Sequence, residues 1–149
     1  MMTATRLLDA DNIARIGLMY VDGDSFEQVL LDKVGHTDYD FDAFNRCKQP
    51  LMKLERINPD LQITAVLWQP HVDNPDIVLP LVAGKALPFE GWQYAQVTGE
   101  MRRALAGEFG VTLARSAVCV SHYYPVRNSD AQIVGALELI IGEKEAVDV

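Results

Sequence analysis

The sequence predicts an α+β fold, an antiparallel sheet with N-terminal helices packed on its apolar face. Three observations carry that prediction. A helix-period stretch, Phe41 to Ile57, is followed by a period-two stretch, Leu61 to Trp68. The segment Ser116 to Ile141 reads as two strands around a short polar turn. The resulting order, helices, two strands, a helix and a closing hairpin, is simplest as one domain spanning 1–149, with 1–10 a frayed start and 142–149 a tail.

A chain of 149 residues can bury a sizeable core, and 49% apolar composition argues against disorder. The net charge of −8 and pI of about 4.7 speak against a nucleic-acid partner, which needs clustered Lys and Arg. Cys47 and Cys119 fall in apolar surroundings and read as reduced core residues, although the sequence leaves a pairing between them open. No run approaches the roughly 18 apolar residues of a membrane span, and the start lacks a secretion pattern. A soluble, cytoplasmic chain is therefore expected; the alternative is an extracytoplasmic domain cut from between two membrane helices.

In chain order, Asp11 or Asn12 can cap a helix through about Tyr20, with Ile13, Ile16 and Tyr20 on one stripe. Asp22-Gly23-Asp24 breaks it, and Asp24 with Glu27 resembles a capping box for a brief helix, Ser25 to Lys33, that buries Phe26, Val29 and Leu30. Asp40 caps the strongest helix, Phe41 to Ile57, with Phe41, Phe44, Leu51 and Leu54 inward. Pro50 is expected to kink or loosen it. Along the next strand, Leu61, Ile63, Ala65 and Leu67 share one face, and Trp68 lies on the other. Asp76 to Ala83 is a second strand, demoted to an edge or bulged position by Pro80. After a loop from Lys85 to Trp92, a helix is expected from Gln93 to Ala106, burying Val97, Met101 and Leu105, with Gly107 and Gly110 ending it. The hairpin strands are Ala117 to Val126 and Ile133 to Ile141. On the second, Leu137, Leu139 and Ile141 face one way and Glu138 the other.

The hairpin sequence HYYPVRNSDAQIVGALEL resembles the end of Cache-type, PAS-like bacterial sensor domains. In that family an aromatic-Pro-hydrophobic-Arg/Lys strand leads through a polar turn into a Gly-containing apolar strand. Tyr124, Pro125, Val126, Arg127, Ser129, Asp130, Ile133, Val134 and Gly135 follow that order. The run from Ala104 to Glu108, the segment from Tyr20 to Asp24 and the helix end at Ile57 to Asp60 are similar to other parts of it, so the likeness spans roughly Ile13 to Ile141. Ala131 stands where the family's turn usually has glycine, which calls for a conformation that an L-residue tolerates.

The resemblance implies a ligand-sensing domain of bacterial signal transduction and no reaction. A small molecule would sit between the sheet and the segments covering it. Such a pocket needs an apolar wall with a few convergent polar groups. The candidates are Trp68, Trp92, Tyr94, His122 and Tyr124, with Arg102 or Arg103 for a carboxylate. Trp68, His122 and Tyr124 are expected to converge on one face, with Trp92 and Tyr94 in the lid. Each also has a plainer role: Trp68 and Tyr124 as core aromatics, His122 as a hydrogen-bonded sheet histidine, Arg102 and Arg103 on a solvated helix face. For Trp92, lid, core anchor and dimer contact all stay open.

No metal or cofactor is expected. Asp22-Gly23-Asp24 and Asp38-Asp40-Asp42 lack the calcium-loop spacing and read as helix caps. His36, His71 and His122 are not in a zinc spacing, and Cys119 and His122 lie on opposite faces of one strand. Two alternatives stand beside the sensor: a ligand-free interaction module that dimerises through the N-terminal apolar stripe or residues such as Val147, and an enzyme whose type the residues do not reveal.

Overall fold

The structure, a computed structural model, describes residues 4–31, 38–84 and 95–143. It is an α+β fold with helices packed on a curled six-stranded antiparallel sheet. The helices are α1 (Ala4–Tyr20), α2 (Gly23–Gln28), α3 (Phe41–Leu54) and α4 (Gly99–Leu105). The strands are β1 (Leu61–Pro70), β2 (Ile77–Ala83), β3 (Ala95–Gln96), β4 (Val111–Ser116), β5 (Cys119–Arg127) and β6 (Ile133–Glu143). Their order across the sheet is β3-β2-β1-β6-β5-β4, so the last strand of the sequence becomes a central one.

Alternation along the strands divides the core in two. Leu61, Ile63, Ala65 and Leu67 join Leu137, Leu139, Ile141 and Tyr124 on the face that α1, α2 and α3 cover with Ile13, Phe26, Leu51 and Leu54. That face is filled by close-packed side chains, each large one stabilising by about 1.5–3 kcal/mol. Such packing is what holds α2, six residues long and too short to persist alone. Gly135 makes the approach possible, since a Cβ there would lie 2.5 Å from both the Phe26 ring and the Trp68 carbonyl oxygen. The opposite face carries Met101 and Ala104 of α4 against Tyr123, Val111 and Ala136.

Several elements match their sequence signals. Asp40 caps α3, accepting from Asp42 N at 3.0 Å and Ala43 N at 3.1 Å. Pro80 sits where β1 and β2 slip register, the bulged position its missing N–H favours, and among the described residues β3 pairs with Ile77 and Val78. Gly107 and Gly110, both at positive φ, follow α4.

Others differ for identifiable reasons. Helix α1 starts at Ala4, about two turns before the expected cap, so Asp11 lies inside it. The cap of α2 is Asp22, not Asp24, and the helix stops at Gln28, where Val29 and Leu30 pair across to Tyr39 and Asp40. Helix α3 ends at Leu54 and continues through Pro50, while Phe41 in its first turn is 71% exposed instead of inward. Helix α4 begins only after Thr98, whose Oγ1 accepts from Met101 N. Ala95 and Gln96, expected to be helical, are drawn into the sheet edge by β2. Strand β4 was not anticipated as a strand, although Val111 and Leu113 alternate with Thr112. Ala131 adopts φ 63°, the left-handed conformation that glycine would take most easily. Among the described residues no helix is long and apolar enough to cross a membrane.

Candidate functional site

The expected convergence of Trp68, His122 and Tyr124 does not occur. Strand β6 decides this: Trp68 is paired with Ala136, and Tyr124 with Leu137. Adjacent residues of β6 point to opposite faces, so Trp68 lies on the α4 face and Tyr124 under the N-terminal helices. His122, two residues from Tyr124, shares the helix-covered face.

Trp68 instead meets a polar cluster. Glu138 stands between Leu137 and Leu139 on β6 and is 1% exposed. Its Oε1 accepts from Trp68 Nε1 at 2.9 Å, and its Oε2 accepts from Arg115 Nη2 at 2.9 Å. The same guanidinium donates through Nη2 to Tyr123 Oη at 3.0 Å and through Nε to Ser121 Oγ at 2.8 Å. Four strands thus contribute, β1, β4, β5 and β6, with Tyr123 directly across from Glu138. Burying a carboxylate costs several kcal/mol unless it is paired and hydrogen-bonded, and here both oxygens are engaged. Burial, and after it the charge of Glu138, push the Tyr123 phenol up to about 12, so it stays protonated at neutral pH. Burial opposes the charge on Arg115, but its hydrogen bond to Glu138 and the neighbouring negative charge prevail and raise its pKa. The Arg115 side chain is 45% exposed, so this charge reaches from the buried carboxylate to solvent.

Sequence reasoning placed Glu138 on the correct face but did not single it out. An acidic residue between leucines on an alternating strand was the available signal. Arg115 went unnoticed because β4 did.

On the helix-covered face, the Tyr124 hydroxyl donates to Asp11 Oδ1 at 2.9 Å, and the Phe109 ring meets Tyr124 edge-on at 4.7 Å. Arg15 lies over Phe109, 4.9 Å from its centroid. His122 is buried, and among the described residues its Nε2 finds no hydrogen-bond partner. Burial lowers its pKa, with Asp11 acting weakly in the other direction. Tyr124 and His122 are thus buried core positions. Arg102 pairs with Asp76 at 3.1 Å, and Arg103 with Glu108 at 2.7 Å, both on the surface as the plainer reading of them had it. Trp92 and Tyr94 lie outside the described residues.

Cys47 is buried and Cys119 half-buried, and both are free. Among the described residues no group of three or more His, Cys, Asp or Glu side chains is placed to hold a metal ion. A separate groove of about 480 Å³ runs between α1 and α3. Compared with known proteins, the sequence matches no family model and no curated protein.

Proposed function

We propose that the chain is a small-molecule binding module of PAS/Cache-like form, serving signal transduction, with its site on the α4 face around Glu138. One observation carries this reading. A buried carboxylate, an indole N–H, a phenol and a half-exposed guanidinium converge on the sheet face that the N-terminal helices leave free. A purely apolar patch at these positions would pack without the desolvation cost of a charge. What the charge supplies is a fixed cation at the solvent boundary, with an aromatic wall from Trp68 beside it. A small molecule with an acceptor group and a flat apolar body suits that arrangement. Displacing Arg115 from Glu138 would loosen edge strand β4, which gives binding a route to a rearrangement.

The test is thermal-shift screening of a metabolite panel, repeated on Arg115→Met. A ligand of this site raises the melting temperature of the natural chain and loses most of that increment in the variant. A broad panel with no shift, or shifts that Arg115→Met leaves intact, sinks the proposal.

A further inference from the structure

We infer that the groove between α1 and α3 docks an amphipathic helix with acidic flanks, carried by a partner protein. Its apolar walls are Ile16 and Tyr20 on α1, with Pro50 and Ile57 on and just beyond α3. Three of them are left in solvent: Ile16 is 45% exposed, Tyr20 69% and Ile57 42%. Apolar side chains scattered singly over a surface mean little, but these line one trough.

The trough is shaped by the crossing of its two helices. At Gly17 a Cβ would run into the Leu54 side chain, so the missing side chain lets α1 settle closely against α3. The grooved surface of two packed helices is a natural seat for a third. Because its walls stand this exposed, the trough would leave a small molecule largely wet, whereas small-molecule sites bury most of their guest. A helix about 10 Å across, presenting anchors at i, i+3 or i+4 and i+7, fits better.

Charge selects the partner. Among the described residues, Arg46 and Lys53 line the groove and no carboxylate does, in a chain whose net charge is −8. The Arg46 guanidinium is steadied by donating from Nε to Ser25 Oγ at 3.0 Å. An acidic segment is therefore repelled by the protein as a whole and attracted here, which favours one docking position. A second copy of the chain suits the groove poorly. A two-fold pairing would bring the same cationic rim against itself, between two molecules each carrying the same negative excess.

The experiment is a display selection from a library of 16-residue amphipathic helices whose flanking positions are free to be acidic, neutral or basic. Selection is made on the full chain, with counter-selection on Ile57→Asp, a substitution at an exposed position whose fold is checked by circular dichroism. Enrichment of acidic flanks is expected. The selected peptides should bind at least about tenfold more weakly to Ile57→Asp and about fivefold more weakly to Lys53→Glu. Enrichment of basic flanks, no enrichment, or equal binding to Ile57→Asp overturns the inference. So does sedimentation showing a dimer of the natural chain that Ile57→Asp dissociates, because the groove would then belong to a second copy.

Discussion

The Tyr124 hydroxyl donates to Asp11 Oδ1 at 2.9 Å and so joins β5 to α1 across 113 residues of chain. The phenol is buried, and burial followed by the bond to Asp11 raises its pKa well above the usual tyrosine range. Tyr124→Phe keeps the ring and its contact with Phe109 while removing the bond. A loss of about 1 kcal/mol in urea unfolding is expected, with faster amide exchange in α1. Unchanged stability and exchange would show that the bond anchors nothing.

The cluster around Glu138 should respond unequally to loss of its members. Arg115→Ala leaves a buried carboxylate without its cation and is expected to cost about 2–3 kcal/mol, somewhat discounted because Arg115 is half exposed. Glu138→Gln retains an acceptor for Trp68 Nε1 and removes the charge itself, so about 1 kcal/mol is expected. Equilibrium unfolding of both variants gives the comparison. Equal costs would mean that the Arg115 cation is not what offsets the burial of this side chain.

In the β5–β6 turn, Ala131 sits at φ 63°. Left-handed backbone costs a non-glycine residue about 1–2 kcal/mol, while glycine gives back part of that through its freer unfolded chain. Ala131→Gly should therefore stabilise by about 0.5–1 kcal/mol, read as a rise in melting temperature. A fall would mean that the turn holds this conformation without strain.

Buried His122 makes stability depend on pH. Its folded-state pKa is lowered by burial from the ordinary value of 6.5, so between the two values the unfolded chain binds more protons. The stability contributed by neutral His122 is complete above about pH 6.5 and is lost as the pH falls, at up to about 1.4 kcal/mol per unit. His122→Gln should flatten this dependence between roughly pH 4.5 and 6.5, above the range in which carboxylates dominate. An identical profile in the variant would locate the effect elsewhere.

The two thiols should separate in labelling. Burial, with the charge of Asp22 adding to it, pushes the Cys47 thiol up to about 11, whereas Cys119 is half-buried on β5. One equivalent of a thiol reagent should react in the native state and a second only on unfolding. Rapid native labelling of both would contradict the buried position of Cys47.

Where an element's signal is local, it was legible. The alternation of Leu61 to Leu67 named the buried face of β1, Asp40 marked the start of α3, and the Asn128–Asp130 turn separated β5 from β6. Elements whose existence depends on a partner were not. Strand β3 is two residues held by β2, β4 is an edge strand with most of its side chains in solvent, and the first turns of α1 carry no clear apolar stripe. For the site, parity along one strand is readable, but parity between strands needs their register. Trp68 was therefore grouped with His122 and Tyr124, on the wrong side of the sheet from both.

The sequence by itself determined the class of fold, the sheet's closing hairpin and the faces within each strand, because these follow from side-chain period and turn chemistry within a few residues. Only the tertiary structure decided which faces meet. Trp68, Arg115 and Glu138 lie 70 and 23 residues apart along the pairs that bond them, and no local pattern records a contact made by folding. The groove between α1 and α3 has the same origin, since it exists only where two separately coded helices cross.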